Sequence, residues 1–334
     1  MIRWSLLWIL TLSFASISAG EIQRRAAFDI GSGQVKVQVS DVDVDENKIV
    51  AVFLQDLRWV PLREDLARNG NIFSQNLQEH LVKAVEELMT EASAFNPAAY
   101  HAIASESFRR AQNGQELVDR LKEATGLTVT IVSQQEEGVL GFLSAINEAQ
   151  SDPQKAVVWD FGAGSFQLTT LAEEGYVVYH GKLGKVPFKE ALVQLKGKNP
   201  GHTLTPNPIT ILDIVRAIQI VEKNVCDVPP EIMKKLQQHD VAVLGIGIHP
   251  LWSMGNQDNY TRGGLIEEIL ARKGLDDCGL KMKDPILKEP PPYIVSNLLL
   301  AYGVMKTLHI KRVKYVGKAS ANAIGTLLSP QYWK

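Results

Sequence analysis

The sequence predicts an α/β protein of two related lobes about a shared cleft, and three observations carry that prediction. A strand, a glycine-rich turn and an alternating strand occur twice, as AAFDIGSGQVKVQVSDV near the N-terminus and AVVWDFGAGSFQLTTL in mid-chain. Each pair precedes a third strand candidate and then segments with a helical apolar stripe. The chain has 334 residues, 45% of them hydrophobic and 22% charged, which suits more than one packed core and argues against disorder. Its formal net charge of −2 gives no general case for nucleic acid or an anionic membrane surface, so any anion must be recognised locally.

The elements follow in order. Arg3, the apolar run Leu6 to Phe14 and the small residues Ala15 to Gly20 have the layout of a signal peptide over residues 1–20. Spanning a bilayer takes ~20 apolar residues, so this run favours a cleaved leader over a retained anchor and predicts an exported protein, periplasmic or secreted. No later segment resembles a transmembrane helix, so the mature chain is expected not to be integral to the membrane. In the first hairpin Val35, Val37 and Val39 alternate, which buries one face. Lys48 to Asp56 completes a meander, and Ser74 caps a helix striped by Leu77, Leu81, Val85 and Leu88. A short strand near Ala102 to Ser105 and a helix from Glu116 to Ala124, stopped by Gly126, close the first copy. The second copy opens with a strand at Thr128 to Val132 and a helix from Glu137 to Glu148, then repeats the hairpin, with Gly175 to His180 as its third strand. Helices near Pro187 to Leu195 and Thr210 to Asn224, a strand ending at Gly247, a helix from Ile294 to Leu308, a strand at Val313 to Val316 and a closing helix complete the chain. Glu289 to Pro292 is expected to be a stiff connector. The expected division is 1–20 leader, 21–126 first lobe and 127–318 second lobe, with a helix at about 319–334 packing back on the first.

Two cysteines, Cys226 and Cys278, leave a disulfide and two separate buried thiols both open. The seven histidines show no paired zinc spacing. Lys182, Lys185, Lys189, Lys196 and Lys198 fit a solvated face better than a steering patch for a polyanion. Trp59 and Trp252 fit core or surface anchors better than nucleobase platforms.

The two loops carry the chemistry. A glycine-rich turn lets backbone amides approach phosphate oxygens with no Cβ in the way. Gly31, Ser32 and Gly33 form the first such turn, and Gly162, Ala163, Gly164 and Ser165 the second; Gly245 and Gly247 belong to a third glycine-rich loop. Asp29 and Asp160, each at the end of the strand before its turn, are placed to hold Mg²⁺ through water or to orient an attacking water. A single Asp-x-Gly-x-Gly is common in hairpins, whereas two copies in matching contexts suggest a shared ligand cleft.

This organisation resembles the two-lobed actin-like (ribonuclease H-like) ATPase fold. Within it, the chain after the leader resembles the exopolyphosphatase and guanosine-pentaphosphate phosphohydrolase (Ppx/GppA) family in its short, two-lobe form. Besides the loops, the resemblance rests on LARNGNIFSQ (66–75), on IASESFRRAQNG (103–114) against the family's Thr-Ser-Ala-Leu-Arg-Asp-Ala, and on TGLTVTIVSQQEEG (125–138) against its Ser-Gly-x-Glu-Glu-Ala. The resemblance implies an α/β fold with an interlobe phosphate-binding cleft, Glu137 as catalytic base, Arg109 facing phosphate, Mg²⁺ or Mn²⁺ as cofactor, and a phosphate polymer or nucleotide as ligand, with no DNA partner. Short members rely on the cleft alone, which leaves a homodimer partner open.

Departures from the family are specific. Phe166-Gln167 stands where the family has Thr-Glu, so an amide replaces a metal-binding carboxylate. Gly33-Gln34 replaces Asn-Ser, Gln134 and Gly138 flank the Glu pair, the loop LGIGIHP lacks its hydroxyl residue, and SANAIG (320–325) replaces Arg-Glu-Gly. The expected function is release of terminal phosphate from polyphosphate or a guanosine pentaphosphate-type nucleotide. The alternative is a sensor or partner module that binds such a ligand without turnover; a small-molecule kinase is a third reading.

Overall fold

In β1 (Ile22–Ile30) the last six residues are buried without a break, the mark of a strand covered on both faces. The computed structural model places it at the centre of a five-stranded sheet and describes residues 20–198, 204–247, 259–285, 289–316 and 321–333. The leader expected over residues 1–20 lies outside these except for Gly20, as do Trp252 and residues 248–250 of the third glycine-rich loop. Among the described residues no helix is long and apolar enough to cross a membrane.

The first sheet has the order β3-β2-β1-β4-β5, with β2 (Gln34–Asp43), β3 (Lys48–Trp59), β4 (Ala99–Ala104) and β5 (Val129–Ile131). The meander β1-β2-β3 is antiparallel, and β4 and β5 add in parallel. On its outer face lie α1 (Leu62–Arg68), α2 (Gln75–Ser93), α3 (Glu106–Arg110) and α4 (Gly114–Thr125). Leu77, Leu81, Val85 and Leu88 of α2 join Val35, Val37 and Val39 of β2 in one core, as the two periodicities require. Ser74 caps α2 through a 3.3 Å bond from the Leu77 amide.

The first sheet runs on past residue 126. The strand expected to open the second copy, Thr128 to Val132, is β5, and it pairs with β4 instead. Its identity as a strand was readable from Val129 and Ile131; its partner depends on a crossover through α4.

The second sheet has the order β10-β11-β9-β6-β7-β8, with β6 (Ala156–Phe161), β7 (Phe166–Ala172), β8 (Gly175–Gly181), β9 (Ala242–Ile246), β10 (Asn259–Thr261) and β11 (Arg312–Tyr315). It repeats the first plan: an antiparallel meander β6-β7-β8, then β9 parallel to β6. Helices α5 (Gln134–Ala149), α6 (Lys185–Leu195), α7 (Ile211–Asn224), α8 (Pro230–Leu236), α9 (Arg262–Arg272), α10 (Asp277–Lys283) and α11 (Pro291–Thr307) surround it. Helix α11 is apolar around most of its circumference and is buried accordingly, from Ile294 to Met305. Pro291 and Pro292 lie in its first turn rather than in a connector, where their missing amides cost nothing.

The closing helix α12 (Ala321–Leu328) returns to the first sheet. Ala323, Ile324, Leu327 and Leu328 pack with Ala27 of β1 and Val42 of β2, and Leu143 of α5 joins them. Arg25 Nη1 donates to the Leu327 carbonyl at 3.1 Å, and its guanidinium lies over Trp333. Gly325 lets the α12 backbone rest on the Leu140 carbonyl of α5, because a Cβ there would overlap it. Helices α5 and α12 thus form the joint between the sheets.

Two expectations change here. Cys226 and Cys278 are exposed free thiols, neither buried nor bonded. The lysine stretch is a solvated face only at Lys182 and Lys198: Lys189 is fully buried beside Tyr293, Lys185 pairs with Glu289 at 3.2 Å, and Lys196 pairs with Asp213 at 3.0 Å. Trp59 is exposed on the sheet edge, the surface position of the two expected for it.

Candidate active site

Strands β1 and β6 end at the same place, and ligands of open α/β sheets bind beyond the carboxyl ends of such strands. A recess of about 250 Å³ opens there, lined by Asp29, Lys36, Ser105, Glu106, Glu137, Asp160, Gln167, Asn322 and both glycine turns.

The two turns are wired alike. The Gly31 amide donates to the Gln34 carbonyl at 3.0 Å, and the Gly162 amide to the Ser165 carbonyl at 2.9 Å. Their carbonyls are held from outside. Ser32 accepts from the Arg63 amide at 2.9 Å and Gly33 from the Val60 amide at 3.1 Å. Gly162, Ala163 and Gly164 accept from the amides of Lys185, Val186 and Gly184. Among the described residues no acceptor takes the amides of Ser32, Gly33, Ala163, Gly164 or Ser165. With carbonyls turned away and amides free, each turn is an anion nest. Gly184 is required where it is, since a Cβ would sit 2.5 Å from the Ser165 nitrogen.

The register sets what faces each aspartate. Asp29 is opposite Lys36 across the first hairpin, and Asp160 opposite Gln167 across the second. Asp29 is only 4% exposed, its Oδ1 has no partner, and Lys36 Nζ is 4.0 Å from Oδ2. Burial pushes the Asp29 carboxyl above its usual range, with Lys36 and Asn322 pulling it back. Asp160 is pushed up to about 7, first by burial and then by the neighbouring Glu137 and Asp29 charges, against Lys36.

Glu137 comes from the first turn of α5. Ser133 and Glu136 form a reciprocal capping box there: Ser133 Oγ accepts from the Glu136 amide at 3.1 Å, and Glu136 Oε2 accepts from the Ser133 amide at 2.7 Å. That fixes the helix start and directs Glu137 inward. Gly138 and Gly141 bring α5 down on the second sheet, where a Cβ at 138 would lie 2.7 Å from Val178 and one at 141 would lie 3.5 Å from Asp160 Oδ2. Arg109 Nη2 donates to Glu137 Oε2 at 2.9 Å, and its Nη1 to the Val132 carbonyl at 2.7 Å. Burial raises the Glu137 carboxyl, Arg109 lowers it, and Asp29 and Glu106 raise it further.

Of the residues singled out in the sequence, Asp29, Gly31, Ser32, Gly33, Glu137, Asp160, Gly162, Ala163, Gly164, Ser165 and Gln167 line one recess. Arg109 stands behind Glu137 and orients it: Nη1 and Nη2 each spend one of their two hydrogens, on Val132 and Glu137, and the side chain does not itself line the recess. Gly245 lies within β9, paired with Trp159, and Gly247 packs against the Phe161 carbonyl and Asp160; neither lines the recess. Lys36, Ser105, Glu106 and Asn322 were not singled out. Lys36 could have been found by counting the hairpin register from Asp29; the others arrive by tertiary packing.

A divalent cation fits the donor set in part. Among the described residues no three His, Cys, Asp or Glu side chains are arranged to hold a metal. Yet two buried carboxylates, one with a partnerless oxygen and one raised to about 7, are short of positive charge. Mg²⁺ typically uses one or two carboxylates and completes its shell with water and substrate phosphate, which this recess allows.

Residues 42–200 match the model of the Ppx/GppA phosphatase family. Over that stretch the chain is similar to a phosphatase family, and the similarity supports a hydrolase. No curated protein is similar enough to match. Among solved structures, the Ppx/GppA family member from Aquifex aeolicus is similar with a TM-score of 0.74 at 17% identity, over 93% of this chain and 98% of that one. An exopolyphosphatase from Cytophaga hutchinsonii is similar with a TM-score of 0.65 at 13% identity, over 92% and 98%. At such identities the likeness shows the fold: the α/β arrangement of two sheets that the sequence predicted.

Proposed function

We propose that the protein is a phosphoanhydride hydrolase that removes the terminal phosphate of inorganic polyphosphate or of a guanosine pentaphosphate-type nucleotide. The observation that carries this reading is Glu137, raised by burial yet oriented by Arg109, at the wall of a recess with two facing anion nests. The free amides of Ser32, Gly33, Ala163, Gly164 and Ser165 hold phosphoryl oxygens. Glu137 orients water toward the terminal phosphorus and takes its proton. The water oxygen bonds to phosphorus as the bridging P–O bond breaks, and the shortened chain departs with the electron pair. A carboxylate with a raised pKa is a better proton acceptor than an ordinary one, which suits this role. Asp160 and Asp29 would hold Mg²⁺ or Mn²⁺, which supplies charge neutralisation for the phosphate oxygens. The leader-like residues 1–20 support an exported site of action.

The buried amide of Gln167 opposite Asp160 favours one rival, a binding module without turnover. Phosphate release from polyphosphate and guanosine pentaphosphate, measured with Mg²⁺ or Mn²⁺ for the wild type and Glu137→Gln, separates the two. Release that falls by about 100-fold or more in the variant is expected of the hydrolase. No release by the wild type, with either ligand still protecting it against heat, selects the binding module.

A further inference from the structure

A second recess of about 270 Å³ adjoins the first, lined by Arg63, Leu66, Asn71, Arg110, Pro187 and Glu190 among others, and Glu106 lines both. Arg63 stands in the wall of the second, between the two glycine turns. Its amide is bonded to the first glycine turn at Ser32, while its guanidinium reaches across to the second. A Cβ on Gly164 would lie 2.8 Å from Arg63 Nη1 and 3.4 Å from Nη2, so the guanidinium occupies the space that glycine leaves. Nη1 is buried and has no hydrogen-bond partner. The nearest carboxylate oxygen is Glu106 Oε2 at 4.0 Å, beyond hydrogen-bond reach. That carboxylate is already engaged, by Ser32 Oγ at 3.3 Å and by Arg110 at 3.1 Å.

An arginine with an orphaned buried donor, laid against an anion nest, is built to meet an anion. Glu137 and Asp160, where the bond would break, line the first recess and not the second, whereas Arg63 lines the second and not the first. The anion at Arg63 is therefore not the phosphoryl group under attack. We propose that Arg63 anchors a phosphoryl group further along the chain, so that the second recess receives the rest of a linear polyphosphate and the protein selects chains over single phosphates. This rests on the phosphoanhydride reading above.

Titration calorimetry with tripolyphosphate and with orthophosphate, for the wild type, Arg63→Ala, Arg63→Lys and the exposed control Arg68→Ala, tests it. The loss of one charge-assisted contact should weaken tripolyphosphate binding by about 10- to 100-fold in Arg63→Ala. Orthophosphate should change by less than about threefold, because it needs only the nests. Arg63→Lys should recover part of the loss, and Arg68→Ala should match the wild type. Unchanged tripolyphosphate binding in Arg63→Ala overturns the anchor and leaves the hydrolase reading standing. Equal weakening toward both probes, together with a lowered melting temperature, makes Arg63 a structural bridge and also overturns it. A wild type that binds neither probe removes the anchor and the phosphoanhydride reading together.

Discussion

Replacing Asp160 with Asn should remove a pH-dependent instability that the wild type carries. The Asp160 carboxyl, normally near 3.8, is raised to about 7, chiefly by burial. The folded protein then binds this proton more tightly than the unfolded chain does. Stability from this group is complete below the unfolded value and is lost as pH rises through the folded one. Between pH 5 and pH 7 the folded group holds a proton that the unfolded group has shed. At about 1.36 kcal/mol per pH unit, that interval is worth roughly 3 kcal/mol. Asparagine has the same shape and no charge to bury, so it escapes the loss. For a chain of this size roughly 3 kcal/mol corresponds to about 5 °C in melting temperature. Thermal melts of both proteins, in chelator at pH 5 and pH 8, should show the variant gaining about 5 °C on the wild type at the higher pH. If the difference in melting temperature is the same at both pH values, Asp160 does not titrate as argued. The reasoning about a charge-starved recess then falls with it.

Two further outcomes follow from the same geometry. Gln167→Glu places a third carboxylate opposite Asp160, so Mn²⁺ binding measured by calorimetry should tighten by about tenfold or more; an unchanged affinity means that position 167 is not where the cation sits. Gly325→Ala forces a Cβ into the Leu140 carbonyl and should cost about 1–3 kcal/mol in chemical denaturation. An unaltered midpoint would show that α12 is not seated on α5.

The duplicated plan was legible because each half states it locally. Alternation at Val35, Val37 and Val39, the turn residues after Asp29 and Asp160, and the stripe of α2 all act within a few residues. The same holds for the nests, since glycines at fixed offsets from a strand end dictate them. What was hidden is what the chain brings together from a distance. β5 has a strand's composition and no mark of its partner. Lys189 has the chemistry of a surface residue, and only packing shows that it is buried. Arg63 sits in a short helix with no motif, and its place against Gly164 exists only once the two glycine turns, at 31–33 and 162–165, have met. Helix α1, which carries it, was not anticipated, because Leu62 and Leu66 alone are too little pattern.

The return of α12 to the first sheet also sets an order of assembly. Ala27 and Val42 near the start of the chain are covered by Ala323 and Leu327 near its end, and the bond from Arg25 to Leu327 spans 302 positions. Local contacts form quickly, and contacts between distant segments wait for loop closure. A growing chain emerging from the ribosome can therefore complete β1 to β5 and α2 early, yet must leave one face of that sheet bare until the last segment has been made. That bare face is the surface a chaperone would have to guard, and a truncation before residue 321 would leave it open for good.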